Sequence, residues 1–246
     1  MKLIILAHTE DGMSRTAVVA GVGPGLGAAL ARRFVTEGCQ VGLFARSEGF
    51  LTDLADELGS DALAVPADIT DPEQVREGFE RVREAFGPVD VLVNHASAAS
   101  WDGTLDVTHE SFERALDTGP KAALYCSQEA VADMLDDEGG VGGTVVFTGA
   151  TTSTRGRKGA VGFSAAKFAC RGMAESMARE LGPQGVHVAH VVIDGGIGTP
   201  SVGGEDTDEE GYLDPDAIAE SYWHLVEQDR SAWTLELDVR PHVEEF

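Results

Sequence analysis

The chain has little of what marks most specialised classes of protein. Its 246 residues hold three cysteines, Cys39, Cys126 and Cys170, far apart and odd in number. That excludes a disulfide framework, and no His/Cys/Asp cluster has metal-ligand spacing, so three reduced thiols and no metal are expected. Lysine is scarce, at four residues, and Lys plus Arg total 18 against 42 Asp plus Glu, a net charge of −24. A nucleic-acid partner needs a basic patch, and none is present. No apolar run approaches the roughly 18–20 residues that span a bilayer. The run Leu3 to Ala7 is shorter than a signal-peptide core and no cleavage site follows it. A cytoplasmic protein without a membrane partner is expected, with residues 1–13 as an N-terminal extension and Met13 as an alternative start. Tyrosine is scarce as well, at three residues, 125, 212 and 222.

Hydrophobic residues make up 43% of the chain, which argues for a packed globular fold. The length suits one α/β domain over 1–246. The acids are dispersed rather than gathered in a tail. Such a surface suits a high-salt cytoplasm, where salt screens the self-repulsion. A halophilic protein is therefore expected, less stable in low salt.

Short β-rich runs alternate with longer helical stretches. Strands are read at 16–20, 40–45, 63–66, 89–94, 144–148, 186–193 and 233–237. Helices are read at 26–36, 52–58, 72–86, 163–181 and 214–228, with a long helical region at 108–135 broken near Gly119-Pro120. Continuously apolar strands alternating with helices predict a Rossmann-type, doubly wound parallel sheet of about seven strands with helices on both faces. Ligands of such sheets bind at the carboxyl ends of the strands. Residues 203–211, acidic and rich in Gly, read as a mobile loop.

The first strand leads through Gly21-Val22-Gly23-Pro24-Gly25-Leu26-Gly27 into a helix. Glycines allow positive φ and close approach of the backbone to a pyrophosphate, and the helix N-terminus offers N–H groups and a positive dipole end. No Gly-Lys-Ser/Thr follows, so this is no P-loop; its place between strand and helix points to nucleotide binding. Arg46 ends the second strand. An acid there would take the ribose 2′-hydroxyl of NAD, whereas Arg accommodates the 2′-phosphate of NADP. Pro24 removes one N–H donor from the loop.

Gly21, Gly25 and Gly27 match the Gly-x-x-x-Gly-x-Gly spacing of the short-chain dehydrogenases/reductases, which the chain resembles over roughly 15–200. Asp68-Ile69 resembles that family's adenine-contacting pair, Asn94-His95-Ala96-Ser97 its Asn-Asn-Ala-Gly, and Asp194-Gly195 through Ile197 and Thr199 its Pro-Gly loop. The resemblance implies a nicotinamide cofactor, NADP(H) favoured over NAD(H), held by Gly21, Gly25, Leu26, Gly27, Arg46, Asp68, Ile69, Asn94, Lys167, Gly195, Ile197 and Thr199. It also implies a homodimer or homotetramer, built through the helices around 110–135 and 163–181.

The family's proton chemistry uses Asn, Ser, Tyr and Lys. Tyr and Lys are four residues apart, hence neighbours on one helix face. Here Lys167 is present, but the Tyr, Ser and Asn positions are Phe163, Ala150 and Gly119. The sequence resembles an atypical subgroup with Phe in place of Tyr. Losing a positioned acid/base forfeits roughly 10²- to 10⁴-fold in rate. No Tyr precedes Lys167 at a spacing that would replace the missing one. Thr151, beside the vacated Ser position, is a candidate to orient a carbonyl. Lys167 is a candidate ribose ligand or acid, and His95 is weighed as an acid against a structural role. Ser153 and Ser164 are supporting groups at most. Two functions stay open: an NADP(H)-favouring oxidoreductase of a small carbonyl or alcohol with a non-standard proton donor, or an inactive nucleotide-binding protein, a redox sensor or oligomer partner.

Overall fold

The computed structural model describes residues 14–136, 142–198 and 211–244. Residues 1–13, Thr199 and nearly all of the 203–211 loop lie outside that set. The elements run β1 (Thr16–Ala20), α1 (Leu26–Thr36), β2 (Gln40–Ala45), α2 (Glu48–Leu58), β3 (Ala62–Pro66), α3 (Pro72–Phe86), β4 (Val91–Asn94), α4 (His109–Leu116), α5 (Ala122–Met134), β5 (Gly143–Thr148), α6 (Val161–Leu181), β6 (Val186–Ile193), β7 (Gly196–Ile197), β8 (Tyr212–Leu213), α7 (Pro215–Val226) and β9 (Glu236–Val239).

Seven of these strands form one sheet in the order β3-β2-β1-β4-β5-β6-β9. Every pairing is parallel. Alternate residues of each strand feed two cores. Val19, Leu43, Val93 and Val191 pack under α1, α2 and α7. Val18, Phe44, Leu92 and Phe147 pack under α3, α5 and α6. Burial on both faces explains why the strands read as apolar runs without alternation. Strand order reverses between β1 and β4, so the carboxyl ends of those two strands open a crevice.

Local chemistry starts α3 and α7 where expected. Asp71 accepts from the Glu73 N–H at the start of α3, and Asp214 does the same for Asp216 at α7, each followed by Pro at the first helical position. Between α4 and α5 the chain does not break. It passes through a π-helical turn, Asp117–Lys121, because Pro120 has no N–H to give the ordinary helical ladder.

The last strand falls at 236–239, not 233–237. The residues before it are used in a turn. The Trp233 ring stacks on His187 at 5.0 Å and its N–H bonds the Gln228 carbonyl, while the Gln228 side chain holds both Thr234 N–H and hydroxyl. Helix α2 begins at Glu48, four residues earlier than read, so that Leu51 joins Leu54 in the core. The two-residue ribbon β7–β8, which ties the stretch after β6 to the start of α7, carries no sequence signal of its own.

Candidate functional site at the carboxyl edge of the sheet

The glycine loop is fixed by a crossing of two chain segments. The Ala20 carbonyl ends β1 and accepts the N–H groups of His95 (3.0 Å) and Ala96 (2.8 Å), which lays the loop after β4 across it. Gly21 lies beneath, at φ 109°. A Cβ there would sit 2.6 Å from the backbone of Ala96. At Gly27 a Cβ would meet the Val22 Cα at 2.9 Å, so this glycine lets α1 begin against the loop. Gly25 precedes α1 with no side-chain cap, and the first turn carries no acid. Its orphan N–H groups and dipole end are thus not answered by a carboxylate. Leu26 is a core residue and offers the site only its backbone.

A cleft of about 640 Å³ opens from this loop, lined by Gly21, Arg46, Asp68, Ile69, His95 and Arg114, among others. Among the described residues neither Arg46 nor Arg114 makes an ion pair. In a chain with 42 acids this is informative, since most surface arginines here do find a carboxylate. Asp68 is oriented by its own turn: its Oδ1 accepts the Thr70 N–H (3.0 Å) and hydroxyl (2.8 Å).

Beneath the cleft, Asn94, Ile69, Gly119 and Thr148 line a separate cavity of about 10 Å³. Asn94 Nδ2 donates to Ser127 Oγ (3.0 Å), and its buried Oδ1 has no partner among the described residues. Gly119 faces α6, where a Cβ would lie 3.3 Å from the Ala166 Cβ. A larger residue at 119 would press on α6.

Thr148, at the end of β5, joins three residues far apart in sequence. Its carbonyl accepts from Lys167 Nζ at 2.8 Å. Its hydroxyl accepts from Tyr222 Oη (2.9 Å) and so has its proton free for His95 Nδ1, 3.2 Å away. That places neutral His95 with its own proton on Nε2. Desolvation, helped by the Lys167 charge, pushes the His95 pKa down to about 4. Desolvation also lowers the Lys167 ammonium and raises the Tyr222 phenol. Outward from Lys167 runs a ladder of rings. Lys167 Nζ lies 5.6 Å from the Phe163 ring centre, Phe163 lies 5.0 Å from Trp101, and the Arg157 guanidinium sits 5.4 Å over Trp101.

Past Thr148 the chain makes a 3-10 turn, Thr151–Ser153, closed by the Ala150 N–H donating to Ser153 Oγ at 2.9 Å. The Thr151 hydroxyl donates to Oδ1 of Asp194, at the end of the neighbouring strand β6. Asp194 is 5% exposed. Its Oδ2 faces Arg240 at 3.3 Å and Arg155 at 3.7 Å. Gly195 follows at φ 153°, where a Cβ would lie 2.8 Å from Pro241, and Ile197 is half-buried in β7.

The structure therefore brings the sequence candidates to one edge in three groups. Gly21, Arg46, Asp68 and Ile69 share the large cleft; Ile69, Asn94 and Gly119 share the small cavity; Lys167, Phe163, Ala150 and Thr151 sit along β5 and α6. Ser153 is fully buried and Ser164 bonds the Arg157 N–H, so both act within the protein. Sequence reasoning missed Arg114, Trp101, Tyr222 and Thr148, and the carboxylate of Asp194. Only the last had a signal, an acid where the resembled loop has Pro.

Residues 15–210 match the family model described as short chain dehydrogenase, and the chain belongs to that family. An uncharacterized oxidoreductase of Staphylococcus aureus is 28% identical over 228 residues, 92% of this chain and 97% of the relative. Among solved structures, a short-chain dehydrogenase from Rhodopseudomonas palustris is 31% identical with a TM-score of 0.79, covering 93% of this chain and 99% of that one. The 3-ketoacyl-(acyl-carrier-protein) reductase from Brucella melitensis, complexed with NADH, is 25% identical with a TM-score of 0.84, covering 94% and 98%. By fold and family the protein is an oxidoreductase of the short-chain dehydrogenase type. Among the described residues no helix is long and apolar enough to cross a membrane.

Proposed function

We propose that the protein is an NADP(H)-dependent oxidoreductase of a small carbonyl or alcohol, working without the family's Tyr. The observation that carries the cofactor choice is Arg46, a guanidinium on the wall of the cleft that pairs with no carboxylate among the described residues, in a protein of net charge −24. Phosphate is the group such an arginine answers. The residues fit a dinucleotide: Gly21 and Gly27 keep the loop low, Gly23 has nothing within 4 Å of where a Cβ would stand, and Asp68 is held ready by Thr70. The Brucella reductase, bound to NADH, supports a nicotinamide nucleotide in this fold. Gly25 and Leu26 would give backbone N–H groups to the pyrophosphate, Asn94 and Ile69 would form the floor, and Gly195 and Ile197 would close the nicotinamide end.

The bound nucleotide supplies or accepts hydride. Lys167, tied to the Thr148 carbonyl, holds the nicotinamide ribose. Phe163 and Trp101 form an apolar wall that keeps water from the reacting carbon. Thr151 orients the substrate oxygen in place of the missing Ser and Tyr hydroxyls.

Titration with NADPH and NADH in molar KCl, followed by nicotinamide fluorescence, tests this. NADPH is expected to bind at least about tenfold tighter. Equal binding would remove the Arg46 argument; binding of neither would remove the oxidoreductase reading. Tight NADPH binding without turnover of any carbonyl would favour the redox-sensor reading, which the loss of three catalytic side chains supports.

A further inference from the structure

Resting on the proposed oxidoreductase reading, we infer that Asp194 is the proton acceptor of the reaction, working through the Thr151 hydroxyl. A carboxylate at the carboxyl edge of the sheet, 5% exposed, is costly unless its oxygens are answered. Here they are answered unequally. Oδ2 faces two arginines, and the Asp194 N–H is fixed on the Val239 carbonyl at 2.9 Å. Oδ1 takes the proton of a single alcohol, Thr151. An ion pair anchoring Arg240 needs no such hydroxyl, because Arg240 already has Asp238 at 2.7 and 2.8 Å. With its own proton committed to Asp194, the Thr151 oxygen is left as an acceptor. Thr151 is half-buried, next to Ala150, where the resembled family has its Ser, and three residues past Thr148, whose carbonyl holds Lys167.

In alcohol oxidation the substrate O–H bond breaks and its proton passes to Thr151 Oγ1, while the Thr151 proton passes to Asp194 Oδ1. The substrate carbon gives up its hydrogen with the bonding pair to the oxidised nicotinamide, which is reduced, and the carbonyl forms. Asp194 then releases one proton to solvent. Reduction runs the same atoms backwards. Thr151 touches substrate; Asp194 acts through it.

The test uses the full-length protein and a panel of aliphatic and aromatic aldehydes, ketones and alcohols with NADP(H). Asp194→Asn keeps an acceptor for Thr151 but cannot take the proton. It is expected to lower kcat about 10²-fold or more while NADPH affinity by fluorescence stays within about twofold. Thr151→Val should lose as much, the double variant no more than either, and Thr151→Ser should restore activity. If Asp194→Asn fails to fold for want of a counter-charge to its arginines, the Thr151 pair, which leaves those contacts intact, decides. Wild-type turnover that survives Asp194→Asn or Thr151→Val, or a Thr151→Ser variant no more active than Thr151→Val, overturns the inference alone. NADPH binding with no turnover on the whole panel overturns it together with the oxidoreductase reading.

Discussion

Gly21→Ala should damage the protein where its neighbour Gly23→Ala does not. Gly21 sits at φ 109°, a conformation that L side chains adopt at a cost of roughly 1–3 kcal/mol. Its Cβ would stand 2.6 Å from the N and Cα of Ala96. The obstacle is backbone, held by the Ala20 carbonyl at 2.8 Å, so it cannot swing aside like a flexible side chain. Separating the two loops adds the cost of overpacking, about 1–3 kcal/mol. Together roughly 2–6 kcal/mol is expected, a large part of an ordinary domain's stability. At this chain length that is a fall in Tm of about 4–24 °C. Gly23 has open space around it and no positive φ, so Gly23→Ala should melt with wild type. Any loss of NADPH affinity in Gly23→Ala then reports approach of the loop to the nucleotide rather than damage to the fold. Thermal melts in molar KCl with paired cofactor titrations provide the assay. A Gly21→Ala protein melting within about 1 °C of wild type would refute the tight crossing of the two loops.

Arg46→Asp should reverse the preference between NADPH and NADH, measured as the ratio of the two dissociation constants, because an acid there repels the 2′-phosphate and accepts the 2′-hydroxyl. His95 is neutral in the fold, with its pKa at about 4 against an ordinary 6.5. The unfolded chain therefore binds the extra proton between those values. Stability is held above pH 6.5 and lost on acidification toward pH 4, by about 2–3 kcal/mol from this residue. His187 and His190 shift in the same direction, so the contribution is read as the difference between wild type and His95→Gln, whose denaturant midpoint should fall less with acid. The net charge of −24 predicts a Tm that rises by several degrees between about 0.05 M and about 2 M KCl. A flat response would remove the high-salt reading.

The parts of the fold that were legible are those whose signal is local. The glycine loop shows in spacing, the buried strands in unbroken apolar runs, and the start of α3 in Asp71-Pro72. Gly119-Pro120 marks a disturbance in the helical region, though only the backbone shows that a π turn carries the helix through it. The last strand was misplaced because Trp233 and Thr234 look like strand residues. They are held instead by Gln228 and His187, contacts no local window contains. One wall of the large cleft was legible for a similar reason: Gly21, Arg46, Asp68 and His95 each belong to a short segment following a strand. Arg114 was not, since it comes from the last turn of helix α4, where an arginine ordinarily signals a solvated face or an answer to the helix dipole.

The proton chemistry lies at the other extreme. Reading along the chain gives three vacancies, at Phe163, Ala150 and Gly119, and suggests a site that has lost its function. Reading across the sheet gives a different account. Thr151 belongs to the turn after β5 and Asp194 to the end of β6, 43 residues apart, yet register brings them into contact because Thr148 pairs with Val191. The acid stands where the family's loop has a residue with no titratable group, just as Phe163 stands where the family has one. A purely decaying site has no reason to place a carboxylate in a nearly dry position, since that is harder to satisfy than Pro. On the proposal above, the ionisable group of the site lies just after β6 rather than on α6, and the hydroxyl lies one residue further along the turn than in the family pattern the sequence resembles.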